Sequence, residues 1–145
     1  MKINGFTYYF ALIFLLFFNN FYAQKESKPP NIIFYLSDDQ DLLDYGVYGN
    51  PKVETSNIDL LATQGIKFTN FYTGQAICAP SRSQIFTGMY PVKNGCMANH
   101  IGVKPNIKSI TSLLKESGYE VVLAGKSHVK PNKVFDWTHY FPKVN

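Results

Sequence analysis

"NIIFYLSDDQ", residues 31–40, sets the expected architecture. Asn31 to Ser37 is a short, continuously apolar run, the pattern of a strand buried on both faces. Asp38 and Asp39 follow it directly, and open α/β sheets place their ligand sites beyond the carboxyl ends of their strands. Adjacent carboxylates repel one another unless a cation or hydrogen-bond donors compensate. Calcium and magnesium favour oxygen ligands of this kind. A solvated turn is the other reading of the same pair, and Asp41 and Asp44 only add to the negative charge nearby.

Working toward the C-terminus, "SDDQDLLDYGVYGNP" is polar and glycine-bearing and reads as a loop. "TSNIDLLATQG" carries Thr55 or Ser56 as an N-cap, Ile58, Leu61 and Ala62 on one face, and Gly65 as the stop, which predicts a short helix. "IKFTNFYT" alternates with β-branched and aromatic residues, as a second strand does. "SRSQIFTG" reads as a helix starting after Pro80 and ending at Gly88. "SITSLLKESG" reads as a helix closed by Gly118, and "YEVVLAG" as a third buried strand. Strand, helix, strand, helix, helix, strand is the order of an α/β fold with a parallel sheet.

Working toward the N-terminus, "MKINGFTYYFALIFLLFFNNFYAQ" has a lysine at position 2, an apolar run and Ala23 near its end. That is the layout of a signal peptide over residues 1–23, and its apolar run is short for a membrane span. An uncleaved anchor is the alternative. Residues 24–30 form an irregular, proline-bearing lead. The chain carries a net charge of +4, with lysines scattered rather than clustered. That distribution gives no nucleic-acid signature and suits either an anionic substrate or a solvated surface.

Two further stretches carry chemistry. In "GKSHVKP", Lys126 and His128 stand two apart; in an extended segment they would share a side and converge on one anionic group, with His128 available for proton transfer. A surface lysine beside a surface histidine is the plainer reading. In "ICAPSRSQIFTG", residues 77–88, Cys78 lies four positions before Arg82, the sole arginine of the chain. Cys78 could pair with Cys96, closing a loop worth about 3 kcal/mol in chain entropy, or be an inert buried thiol. At a helix N-terminus it would instead favour negative charge, with Arg82 fixing the geometry of position 78 through several donors.

"CAPSR" followed by "SQIFTG" resembles the sulfatase signature. "PPNIIFYLSDDQ" resembles that family's first strand and paired metal-binding aspartates. "TSNIDLLATQGIKFTNFYT" resembles the segment joining them, and "GYEVVLAGKSH" the later strand with lysine and histidine. The order of motifs agrees from about Pro30 to Trp137. Within the family, "YPVKNGCMANH" and "GKSHVKPNKVFDW" look most like the sulfamidase (N-sulfoglucosamine sulfohydrolase) branch.

The resemblance implies an alkaline-phosphatase-like, mostly parallel sheet flanked by helices, with residues 31–145 as the N-terminal part of its catalytic domain. It implies that a formylglycine-generating or radical maturation enzyme converts Cys78 to formylglycine. The hydrated aldehyde would attack sulfur as a covalent nucleophile. It further implies a calcium ion on Asp38, Asp39 and residue 78, with Arg82 holding the nucleophile and carboxylates. Lys126, His128 and His100 would contact the substrate, a sulfated carbohydrate. Sulfatases are several times longer, and their remaining metal ligands lie on a later strand. The expectation is thus the N-terminal portion of an exported enzyme, periplasmic or extracellular, meeting a membrane only during export. A noncatalytic remnant that binds sulfated glycans, and a phosphodiesterase or phosphonate hydrolase of the same superfamily, are the alternatives.

Overall fold

The computed structural model describes Tyr9 and residues 28–142, so the signal-peptide reading of residues 1–23 lies almost wholly outside the described residues. The chain divides into two units, residues 1–36 and 37–145. In the first, residues 28–36 form neither helix nor strand, and Ile33 is 93% exposed. The expected strand over Asn31 to Ser37 is therefore not formed. "IKFTNFYT" is likewise irregular, with Ile66, Phe68, Phe71 and Tyr72 exposed. The physical reason is the same for both runs. A strand exists only through hydrogen bonds to a neighbouring strand, and among the described residues neither run has one.

The second unit holds the remaining elements. After two 3-10 turns, Leu42–Asp44 and Gly46–Tyr48, come helices α1 (Ser56–Gln64), α2 (Cys78–Thr87), α3 (Pro91–Asn94) and α4 (Ile110–Glu116). Strands β1 (Val122–Ala124) and β2 (His139–Phe141) pair in parallel, Val122 opposite His139 and Ala124 opposite Phe141. The third expected strand is thus present as β1. Its partner comes from the aromatic tail, for which the sequence had suggested no regular element.

Helix α1 matches its expected bounds, with Thr55 and Gly65 flanking it. Asp59 fixes the preceding loop onto it by accepting from the Val47 amide and the Thr55 hydroxyl, at 2.8 and 2.9 Å. Helix α2 begins two residues before Pro80 rather than after it. First-turn amides have no intrahelical acceptor, so a proline there costs no hydrogen bond. Gly88 ends α2 as expected: its φ of 64° is left-handed, and its amide returns to the Gln84 carbonyl at 2.8 Å.

Helix α2 is the hub of the core. Phe86 packs edge-on against Phe135 and Trp137, at centroid distances of 6.3 and 5.4 Å. Ala79, Cys96, Val103, Val129 and Val134 complete the cluster. Cys78 and Cys96 are both free, which decides the open question of their pairing: Cys96 is a core residue whose Sγ donates to the Ile101 carbonyl at 3.0 Å.

The polar side of α2 is fastened by Asn94, which is fully buried. Its Nδ2 lies 3.0 Å from Ser83 Oγ and 3.1 Å from the Met89 carbonyl, and its Oδ1 accepts from the Cys96 amide at 2.8 Å. Replacing it would orphan several buried polar groups at once, each worth about 1–3 kcal/mol. Asn94→Ala is therefore expected to lower the free energy of unfolding by about 2–3 kcal/mol, read from urea denaturation. A change below about 0.5 kcal/mol, the range of ordinary surface substitutions, would contradict this role.

Candidate active site

The core holds α2 rigidly, and α2 presents Cys78 and Arg82 at one end of the second unit. Arg82 is buried, and a buried guanidinium needs partners. Its Nη2 donates to Asp38 Oδ1 at 3.2 Å and its Nη1 to the main-chain carbonyl of Lys126 at 2.8 Å. One side chain thereby joins the start of the acidic loop to the segment after β1.

The two aspartates are brought together by backbone conformation. Consecutive side chains in an extended chain point apart, but Asp39 has a φ of 53°, in the left-handed region. Ligand atoms of Asp38, Asp39 and Cys78 all lie within 4.8 Å of one another. The Cys78 thiol points toward Asp39 Oδ1 at 3.9 Å.

Beyond β1, Gly125 adopts a φ of 101°, a conformation a side chain disfavours, and turns the chain toward α2. Lys126 Nζ then reaches Asp38 Oδ2 at 2.7 Å and Cys78 Sγ at 3.5 Å. Its hydrogen bond to Asp38 is the main reason its pKa is raised, and the same bond lowers that of Asp38. The ion pair persists from above the Asp38 pKa to beyond the ordinary lysine range, so the cation is present at neutral pH.

The condition for Lys126 and His128 to share a side, an extended segment, is not met. His128 has a φ of 53°, so the segment is not extended and the two side chains find different partners. The ring of His128 meets that of His100 edge-on, at 5.9 Å between centroids. His100 is also left-handed, at a φ of 70°. With Ile101, Val129 and Lys130 the two histidines line an open pocket. His128 Nδ1 is buried without a hydrogen-bond partner. Burial, then the positive charge of Lys126, lowers its pKa, so at neutral pH the ring is neutral and able to take up a proton.

Each candidate residue is thus placed: Asp38, Asp39, Cys78, Arg82 and Lys126 in one constellation, His100 and His128 in the adjoining pocket. Two asparagines of the "YPVKNGCMANH" stretch were given no role in the sequence reading, Asn94 behind α2 and Asn99 at its start. Only the Asn94–Gly95 pair signalled anything, and it signalled a turn.

The donor set can be tested against a metal ion. The carboxylates suit a hard dication, and Asp39 forms no ion pair among the described residues. The thiol at position 78 does not suit such an ion, since sulfur prefers softer metals. An oxygen at that position would remove the mismatch.

The depressed pKa of His128 gives a direct check. Its midpoint by NMR is expected below 6.5 and should rise in Lys126→Ala, because a repelling cation is removed. A midpoint that stays put would show that Lys126 does not act on the ring. The sign for stability follows: the unfolded chain protonates first, so His128 costs stability as pH falls below the ordinary histidine range.

Residues 30–144 match the family model described as Sulfatase. The chain is 67% identical over 118 residues to an ulvan-active sulfatase of Formosa agariphila, covering 81% of this chain and 24% of that protein. It is 35% identical over 120 residues to human N-acetylgalactosamine-6-sulfatase, covering 74% of this chain and 23% of that protein. Against human steryl-sulfatase it is 36% identical over 128 residues, covering 80% and 22%. The chain spans about a quarter of the length of the curated relatives it matches. The family model covers most of the chain, and the chain belongs to the sulfatase family, a family of α/β enzymes.

Proposed function

We propose that this chain is the nucleophile-bearing segment of an exported sulfuric ester hydrolase acting on sulfated carbohydrate. The observation that carries the reading is the convergence of Asp38, Asp39, Cys78, Arg82 and Lys126, residues up to 88 positions apart, around one point. A sulfate ester is an anion whose sulfur accepts a nucleophile. Attack requires a nucleophile fixed in place, cationic groups against the sulfuryl oxygens, and a route for protons.

Position 78 is proposed to carry formylglycine, whose hydrate supplies the oxygen nucleophile that a thiol does not. The sulfur mismatch at a carboxylate-rich site supports this. Asp38, Asp39 and the oxygen at position 78 would hold a calcium ion, which when bound polarises the sulfuryl group. The remaining work falls to the chain's own side chains. Arg82 fixes the Asp38 carboxylate and the Lys126 main chain. Lys126 places a permanent positive charge beside position 78. His128, neutral and partly buried, takes up or returns a proton within its pocket, and His100 borders the space a sugar ring would enter. The relative that shares 67% identity is named for activity on ulvan, which supports a polysaccharide sulfate ester over a sulfamate or a phosphoester for this chain too.

Mass spectrometry of the tryptic peptide ending at Arg82 tests the modification. Protein made with a maturation enzyme is expected to show an aldehyde at position 78. An intact thiol under those conditions would refute the formylglycine proposal. In the full-length enzyme, Arg82→Lys keeps the charge but loses the fork that reaches two acceptors. A drop in kcat/KM of at least about 100-fold is expected, by analogy with the loss of other preorganised charge donors. Near-normal turnover of a sulfated oligosaccharide would remove Arg82 from its anchoring role, and faster hydrolysis of a sulfamate probe would overturn the ester assignment.

A further inference from the structure

We infer that Asn99 is a positioning residue that fixes the first turn of α2 and, through it, position 78. The N-cap of α2 is Ile77, which offers no side-chain hydrogen bond, so the first amides of the helix lack the local acceptor that a serine or aspartate would supply. Asn99, 20 residues further on, provides it: its Oδ1 accepts from the Ala79 amide at 3.1 Å. On the other side of Cys78, Gln75 Nε2 donates to the Met97 carbonyl at 2.9 Å. The chain is therefore gripped at residues 75 and 79 by residues 97 and 99 of a single loop, with Cys78 between the two grips.

That loop is tied down in turn. At its far end the buried Cys96 thiol donates to the Ile101 carbonyl at 3.0 Å. Its next residue, His100, sets its ring against His128. The segment that grips Cys78 therefore also carries a wall of the adjoining pocket, and the two cannot shift independently. Small misplacements of a reacting group are costly, since rate depends steeply on approach geometry. Asn99 touches none of the proposed reacting atoms; it acts through Ala79. The kinetic consequence rests on the reading of position 78 as the nucleophile given above, whereas the grip itself does not.

The test compares wild type, Asn99→Ala and Asn99→Asp, the last of which keeps the acceptor and places a favoured negative charge at a helix N-terminus. In the full 145-residue chain, amide hydrogen exchange at Ala79 is expected to speed up about tenfold in Asn99→Ala, as expected for loss of a cap, and to return to normal in Asn99→Asp. In the full-length enzyme, kcat per folded molecule on a sulfated oligosaccharide is expected to fall about tenfold in Asn99→Ala with KM little changed, and to recover in Asn99→Asp. Exchange unchanged in Asn99→Ala overturns the grip. Faster exchange with unaltered kcat, or a loss that Asn99→Asp does not repair, overturns the positioning role. A wild-type enzyme that hydrolyses no sulfate ester would refute the proposed function, and Ala79 exchange would still decide whether Asn99 holds the helix.

Discussion

Everything at the site depends on where the Arg82 guanidinium finds its acceptors. Arg82 is the one arginine of the chain, its side chain is 7% exposed, and its carboxylate partner Asp38 is 43% exposed. A buried cation without partners is strongly unfavourable, so the fold is stable only when the acidic loop and the segment after β1 both come to α2. A lysine offers a point charge and could satisfy one of these acceptors well, but not both in a fixed plane. The demand of one buried charge thus brings together residues distant in sequence.

The rigidity behind that demand comes from the next turn of α2. Phe86 is set among Phe135 and Trp137, while Ser83 Oγ donates to the Pro80 carbonyl and accepts from Asn94. One helix therefore has an apolar side in the core, a polar side locked by a buried amide, and an end that carries the reactive position. Lys126 is placed by contributions from two directions, its carbonyl held by Arg82 and its ammonium by Asp38. Pairing between β1 and β2 adds a third constraint just upstream.

The grouping of the candidate residues was more legible in the sequence than the sheet. Cys78, Arg82, Lys126 and the two aspartates were singled out by residue type and spacing, and the fold brings them together. The bounds of helix α1 were readable because its flanking threonine and terminal glycine are local signals, although Thr55 makes no side-chain cap bond and Ile58 and Leu61 stay exposed. The runs at residues 31–37 and 66–73 were misread as strands because apolar character records a preference, while a strand exists only through its neighbours. The relative placement of Lys126 and His128 stayed open for a related reason: the left-handed turn at His128 leaves no mark in residue spacing. Asn99 could not be found at all, since its role arises from a contact made across 20 residues.

The separation between Cys78 and Lys126 has a consequence in time as well as space. The two lie 48 residues apart, and a ribosome adds residues at roughly 5–20 per second. For roughly 2–10 seconds of synthesis, the sulfur therefore exists before the lysine that will cover it, and before the carbonyl that Arg82 will grasp. During that interval position 78 lacks both of these partners. Once Lys126 arrives and the loop at Asn99 closes, the same atom sits between an ammonium, a carboxylate and a gripped helix end.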